Sequence, residues 1–132
     1  MLLFKGASMN LNAKTAAIVL GIVFLAVGIL GFFPNPLVSP TGLFAVNTAH
    51  NLVHLVSGIV LLGGAYSDFG GALALKIVGV VYALVAILGL VMGGNMLLGL
   101  IAMNPADHWL HVALAVVLLA AGFLLEDEPA MA

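Results

Sequence analysis

The sequence has few charged residues and no cysteine, and both shortages limit what the protein can be. Of its 132 residues, three are lysine or arginine and five are aspartate or glutamate. Three basic residues cannot build the positive surface that nucleic-acid binding requires. Without cysteine there is neither a disulfide framework nor a thiolate metal site. We expect no enzymatic activity, because the sequence shows no nucleophile beside a base, no paired-carboxylate site and no phosphate-binding loop.

Apolar residues, in contrast, are in large excess. They make up 64% of the chain, and charged residues make up 6%. Soluble domains are about 45–50% apolar and about 25% charged. A chain of this length keeps much of its surface exposed after folding, so a soluble fold would leave this apolar surface in water. The composition is also too apolar for disorder. It predicts an integral membrane protein surrounded by a lipid bilayer.

Four segments are long enough to cross that bilayer, since a spanning helix needs about 20 mostly apolar residues. We predict spans at residues 16–33, 47–66, 77–93 and 105–125. They should be helices, because a segment in hydrocarbon must satisfy its own backbone and these lack the alternation of a membrane barrel. The predicted fold is all-α, a single four-helix transmembrane domain. We expect the apolar outer segments 43–46 and 94–103 to lie as short helices or caps over the bundle.

Three lysines indicate the orientation. Lys5 and Lys14 precede the first span, and Lys76 lies beside the connection between the second and third spans. The positive-inside rule places this side, and with it both termini, in the cytoplasm. The acidic residues 126–128 fall on the same side but carry little topological weight. The first span is too long for a signal peptide and is followed by no small-x-small cleavage site, so we predict a retained anchor.

The two halves of the chain resemble each other. Residues 21–24 match residues 79–82, residues 42–47 match 99–104, and residues 61–66 match 118–123. Each half is a helical hairpin that begins and ends on the inner side. The match therefore predicts two repeated hairpins related by a pseudo-twofold axis along the membrane normal. In such a bundle the second and fourth helices can face each other.

Polar residues at membrane depth are concentrated where the second and fourth spans begin. His50 and His54 are four residues apart, as are Asp107 and His111, so each pair shares one face of its helix. If the two helices face each other, these four side chains converge at the outer side. The secondary members of this cluster are Asn47, Asn51, Ser57, Asn104 and His108.

Three interpretations of the cluster are open. It can be a hydrogen-bonded tie between helices, in which Asp107 accepts from the free N–H groups of its own first turn, His50 pairs with Asp107 and the asparagines cap their helices. It can be a ligand site, in which the histidines and Asp107 bind a transition metal such as zinc, copper or non-haem iron. His54 and His111, at equal depth, could instead ligate a haem or a chlorophyll-type pigment. Finally, it can be a proton- or pH-responsive device, because histidine changes charge between about pH 5 and 8.

These motifs carry a family resemblance. Residues 31–34 read Gly-Phe-Phe-Pro, residues 47–54 contain Asn-x-x-His-Asn-x-x-His, and residues 107–111 read Asp-His-Trp-Leu-His. The chain resembles, from about residue 16 to 125, an uncharacterised group of bacterial four-helix membrane proteins known as a domain of unknown function. His108 stands where that group has Asn. The resemblance implies a bacterial cytoplasmic membrane location and no particular activity.

Almost nothing in the sequence projects from the bilayer to meet a soluble partner. We therefore expect a small, non-enzymatic, multi-pass protein whose partners are other transmembrane helices. It would serve as an accessory or self-assembling subunit of a membrane complex, either as a homo-oligomer or beside different chains.

Overall fold

The structure is a computed structural model that describes residues 11–127. Lys5 and Glu128, which entered the predictions of orientation and of the acidic tail, lie outside the described residues. Four helices are long and apolar enough to cross a membrane, which confirms the all-α transmembrane bundle. They are α1 (Ala13–Leu30), α2 (Thr48–Ala65), α3 (Gly71–Met92) and α4 (Pro105–Leu124). The protein is a multi-pass membrane protein.

Three of the helices begin after an asparagine. The side chains of Asn12, Asn47 and Asn104 each accept a hydrogen bond from the backbone N–H three residues further on. This satisfies one of the free donors that every helix start leaves open. The cap at Asn12 starts α1 three residues before the predicted boundary. The helix ends at Leu30 instead of residue 33, because the chain turns into a proline-containing loop at Pro34.

The start of α3 differs most from its predicted boundary, which was residue 77. The helix begins at Gly71, and Asp127 Oδ1 accepts a hydrogen bond from Ala72 N at 2.7 Å. This cap comes from the far end of the chain and is invisible in local sequence. Lys76 consequently lies within the helix, with its amine 4.7 Å from the centre of the Phe123 ring.

The start of α1 is also joined to the chain that follows α4. Ala13 N donates to Glu126 O at 2.6 Å. Together with the Asp127 cap on α3, this bond joins the starts of α1 and α3 to residues 126–127, the segment that follows α4.

The α1–α2 and α3–α4 loops, called the outer loops after their predicted side, form small strand pairs. Of the two predicted forms, short helices or caps, the short helices are therefore wrong. In the first loop, β1 (Val38–Ser39) pairs in parallel with β2 (Phe44–Ala45). In the second, β3 (Met96–Leu97) pairs antiparallel with β4 (Ile101–Ala102). The chain reverses there at Leu98 and Gly99, which have φ of 54° and 68°. β2 contacts α4 and β4 contacts α2, so each loop caps the opposite hairpin.

The most extensive helix packing lies within the hairpins α1–α2 and α3–α4. Glycine allows the helices to approach closely at matched places, with Gly21 against Leu62 and Gly79 against Leu119. The backbones of α2 and α4 make no comparable contact. The gap between them is crossed by side chains, and these side chains form the site. The outward faces carry exposed apolar residues that suit lipid, including Ile22, Ile59, Val91, Val116 and Leu124.

Candidate functional site

Three histidines meet near the end of the bundle that carries the two strand pairs. His50 and His54 come from α2 and His111 from α4, and each is at most 6% exposed. One potential ligand atom from each lies within 4.8 Å of the other two. The centre of the His50 ring is 4.5 Å from that of His54 and 5.5 Å from that of His111. The chain thus brings together three of the four residues that the sequence placed in one cluster.

The orientation of the His50 ring is fixed from the opposite hairpin. His50 Nδ1 lies 2.6 Å from the backbone oxygen of Ala102 in β4. A carbonyl oxygen only accepts, so Nδ1 carries the proton and donates it. In the neutral ring the lone pair then belongs to Nε2. Metal-binding histidines are commonly held in this way by a backbone carbonyl on their other nitrogen.

Each of these histidines has an unused buried nitrogen. His50 Nε2, His54 Nδ1 and His111 Nδ1 have no hydrogen-bond partner among residues 11–127. Most buried polar atoms in proteins are paired, and leaving one unpaired costs about 1–3 kcal/mol. Three such atoms in one cluster are the main feature of the site that packing alone does not explain.

Two aromatic rings pack against the histidines and form a wall of the site on the side away from the outer loops. Phe24 of α1 lies 5.9 Å from the His54 ring centre, and Tyr82 of α3 lies 5.6 Å from that of His111. Both contacts are edge-on. The two aromatic rings also contact each other, with their centres 5.1 Å apart. All four helices therefore contribute a side chain to the site or to its wall.

Ser57 and Tyr82 form a hydrogen-bonded pair beneath the histidines. Ser57 Oγ donates to Val53 O at 2.7 Å, and its oxygen lies 3.1 Å from the Tyr82 hydroxyl. Since the Ser57 proton is used by Val53, Tyr82 is the donor to Ser57. Sequence reasoning did not select Tyr82. Its signal was its match to Phe24 in the repeat, as the one hydroxyl-bearing residue in an otherwise apolar span.

Asp107 does not join the three histidines. Its Oδ2 accepts from Asn104 N at 2.9 Å, while Asn104 Oδ1 accepts from Asp107 N at 2.9 Å. This reciprocal arrangement is a capping box. The hypothesised pair between His50 and Asp107 is absent among the described residues, because the free N–H at the start of α4 takes the carboxylate and Ala102 takes His50.

Asn51 and His108 occupy matched places against the neighbouring helix. Both are buried, Asn51 against Gly31 and His108 against Gly89. A Cβ at either glycine would collide with the side chain opposite it. His108 is outside the group of three histidines. It packs beside a glycine of its own hairpin, and its Nδ1, like Asn51 Oδ1, has no hydrogen-bond partner among residues 11–127.

The cap residues of α2 and α4 also join the two hairpins. Asn47 Nδ2 donates to Leu100 O at 3.0 Å, and Asn104 Nδ2 donates to Leu43 O at 2.8 Å. Each asparagine therefore reaches the outer loop of the opposite hairpin. These bonds close the bundle over the histidines from the outer side.

Comparison with known proteins identifies a family without assigning a role. The chain has no significant match among curated proteins or among solved structures. A family model described as a domain of unknown function, DUF4383, matches residues 14–124. The match contains all four helices and every residue of the histidine site. The chain therefore belongs to the DUF4383 family, as the resemblance of its paired motifs predicted.

Proposed function

We propose that the protein binds a transition-metal ion through His50, His54 and His111. The observation that carries this proposal is the cluster of three buried imidazoles on two helices, each with a nitrogen that no described residue uses. Imidazole is the commonest metal ligand in proteins. A bound ion would take one nitrogen from each of the three histidines and would link α2 to α4, whose backbones make little contact.

A purely structural tie fits these contacts less well. The helix cap of Asp107 and the bond from His50 to the Ala102 carbonyl of the opposite hairpin fit a tie, but they leave one buried nitrogen on each of the three histidines without a partner among residues 11–127. In a pure tie, nothing would compensate the free-energy cost of burying these nitrogens without a hydrogen bond or a metal ion. A proton- or pH-responsive device would use the same histidines, and metal analysis separates that alternative from the proposal.

A haem or chlorophyll-type pigment fits the site poorly. A macrocycle needs a wide cleft beside its ligating histidine. Here the Phe24 and Tyr82 rings pack directly against the histidines, and the cavity at His50 and His111 has a volume of about 10 Å³. A single ion suits that space, whereas a tetrapyrrole does not.

The test is metal analysis of the purified full-length protein, followed by titration of the metal-free protein with Co²⁺, whose visible spectrum reports its ligands. We expect one ion per chain, and loss of binding in His54→Ala and in His111→Ala. His108→Asn is the matched control, because His108 is equally buried outside the cluster, and it should bind as the unmodified protein does. Thermal unfolding establishes that each variant is folded. Equal binding by His54→Ala and the unmodified protein would refute the site. A Soret or far-red absorption band in the purified protein would show that the ligand is a tetrapyrrole and not a single ion.

A second proposal concerns the setting of the site. We infer a non-enzymatic accessory or self-assembling subunit of a membrane complex in the bacterial cytoplasmic membrane. Its support is the surface: no connection between the helices exceeds 17 residues, and the outward faces of all four carry large apolar side chains. A partner would be met helix to helix. Native purification that yields only monomer, with no co-purifying membrane protein, would count against it.

The repeat and the orientation are also proposals. Matched contacts support the pseudo-twofold arrangement: Phe24 with His54 against Tyr82 with His111, and Gly31 with Asn51 against Gly89 with His108. The orientation rests on the lysines and the positive-inside rule. With the termini in the cytoplasm, the histidine site lies near the outer surface of the membrane.

A further inference from the structure

A small cavity adjoins the histidines. Its lining includes Met103, a residue with a metal-binding thioether that the site described so far does not use. The cavity has a volume of about 10 Å³, near the lower limit for holding a single water molecule. His50 and His111 line it together with Tyr82 and Met103. The remaining lining is aliphatic, from Val53, Val85 and Ile101.

Met103 is fixed in place beside this cavity. It is 2% exposed, and its backbone N–H donates to Asn95 O at 3.0 Å across the base of the second outer loop. The preceding residue, Ala102, supplies the carbonyl that holds the His50 ring. One short segment thus orients a histidine and places Met103 in the lining of the same cavity.

The side chains near the site that could offer an oxygen ligand to a metal are already hydrogen-bonded. The Tyr82 hydroxyl is hydrogen-bonded to Ser57, and the Asp107 carboxylate is held in its capping box. The chain has no cysteine. A metal here would therefore meet imidazole nitrogen and thioether sulfur and no free carboxylate. Soft thioether ligands select Cu(I), whereas carboxylate and water suit harder ions.

We propose that Met103 is the fourth donor of the site and that the ion it binds is Cu(I). This inference rests on the three-histidine site proposed above and specifies its metal. The alternative role for a buried methionine is that of a flexible apolar filler, for which leucine is an adequate replacement.

Competition for Cu(I) against bicinchoninate, using the full-length protein in detergent, tests the proposal. We expect one Cu(I) per chain in the unmodified protein and an affinity lower by about tenfold or more in Met103→Leu, since losing even an outer-shell partner costs 10–100-fold. Met96→Leu is the matched control, because Met96 lies in the same loop but is 44% exposed, and it should bind as the unmodified protein does. Copper X-ray absorption should show a sulfur neighbour that disappears in Met103→Leu.

The outcomes separate this inference from the proposed function. If Met103→Leu binds Cu(I) as tightly as the unmodified protein and no sulfur neighbour is seen, Met103 is not a ligand, while the three-histidine site stands. Preference for Zn²⁺ or Co²⁺ over Cu(I) would also overturn the inference and leave the site intact. If the unmodified protein binds none of the three ions, both proposals fail. Thermal unfolding of Met103→Leu verifies that any loss of binding occurs in a folded protein.

Discussion

Asn47 and Asn104 start α2 and α4 in the same way, and each side chain also crosses to the other hairpin. The oxygen of each accepts from the backbone of its own helix, and the nitrogen donates to Leu100 O or Leu43 O at the opposite outer loop. One amide therefore performs two tasks, one local and one between hairpins. This makes the two positions natural probes of how the outer side is held together.

We expect Asn104→Ala to lower the free energy of unfolding by about 1–2 kcal/mol, the upper part of the range for a lost N-cap. Asn104→Ser keeps an oxygen that can cap α4 but is too short to reach Leu43, so its loss should be smaller. Chemical unfolding in detergent measures both. The control is Asn95→Ala, at an exposed loop asparagine of the same outer side, which should be neutral. An Asn104→Ala protein as stable as this control would contradict both roles of the residue.

Gly31 and Gly89 should tolerate no side chain. An added methyl group at these positions meets Asn51 or His108, both buried, so we expect Gly31→Ala and Gly89→Ala each to cost about 1–3 kcal/mol of stability. Gly63→Ala provides the control, because a Cβ at that position would meet nothing within 4 Å beyond its chain neighbours and its own helix backbone, and alanine favours a helix more than glycine does. Thermal unfolding should rank Gly63→Ala at or above the unmodified protein. Equal stability of all three variants would show that the glycine contacts are loose.

The remote cap on α3 gives a sharper test, because its acceptor can be kept or removed. Asp127→Ala removes the oxygen that accepts from Ala72 N and should cost about 0.5–2 kcal/mol. Asp127→Asn keeps an acceptor and should retain most of the stability. Glu126→Ala changes the neighbouring exposed side chain but leaves the backbone bond from Ala13 to residue 126 in place, so it should be silent. Unfolding midpoints that do not separate Asp127→Ala from Glu126→Ala would show that the cap contributes nothing.

The proposed orientation predicts which loops are accessible from outside the cell. Since the chain has no cysteine, one introduced cysteine is the only target for a membrane-impermeant thiol reagent. Asn95→Cys, in the second outer loop, should react in intact cells. Asp68→Cys, in the exposed connection between α2 and α3, should react only after the membrane is opened. The reverse pattern would invert the topology and place the histidines near the cytoplasm.

Much of the fold was predictable because long apolar segments leave a chain in a bilayer few alternatives to helices. The His50–His54 pair follows from helical spacing, and His111 follows from the match between the halves. Asp107 lies outside the three converging histidines for a local reason that the tie interpretation contained: a carboxylate at the third position of a helix has a free backbone N–H close by, and the capping box takes it.

The residues that sequence reasoning missed act through tertiary contacts. Asp127 caps a helix that begins 56 residues earlier in the chain, at Gly71. Ala102 orients His50 through a backbone carbonyl, which leaves no mark in side-chain chemistry. The outer strand pairs contain two residues in each strand, and so short a segment has no periodicity to detect. Met103 appears as an ordinary apolar position until the helices are packed, whereas the hydroxyl of Tyr82 did distinguish it from the rest of its apolar span.

The distribution of the three histidines between α2 and α4 has a consequence for biogenesis. During synthesis His50 and His54 emerge with the first hairpin, and His111 emerges with the last helix. The Ala102 carbonyl that fixes the His50 ring also arrives only with the second hairpin. Until α4 has entered the bilayer, the first hairpin holds two imidazoles without their third neighbour. The cluster is therefore complete only after α4 has inserted, and a chain stalled before α4 would hold two of the three proposed ligands.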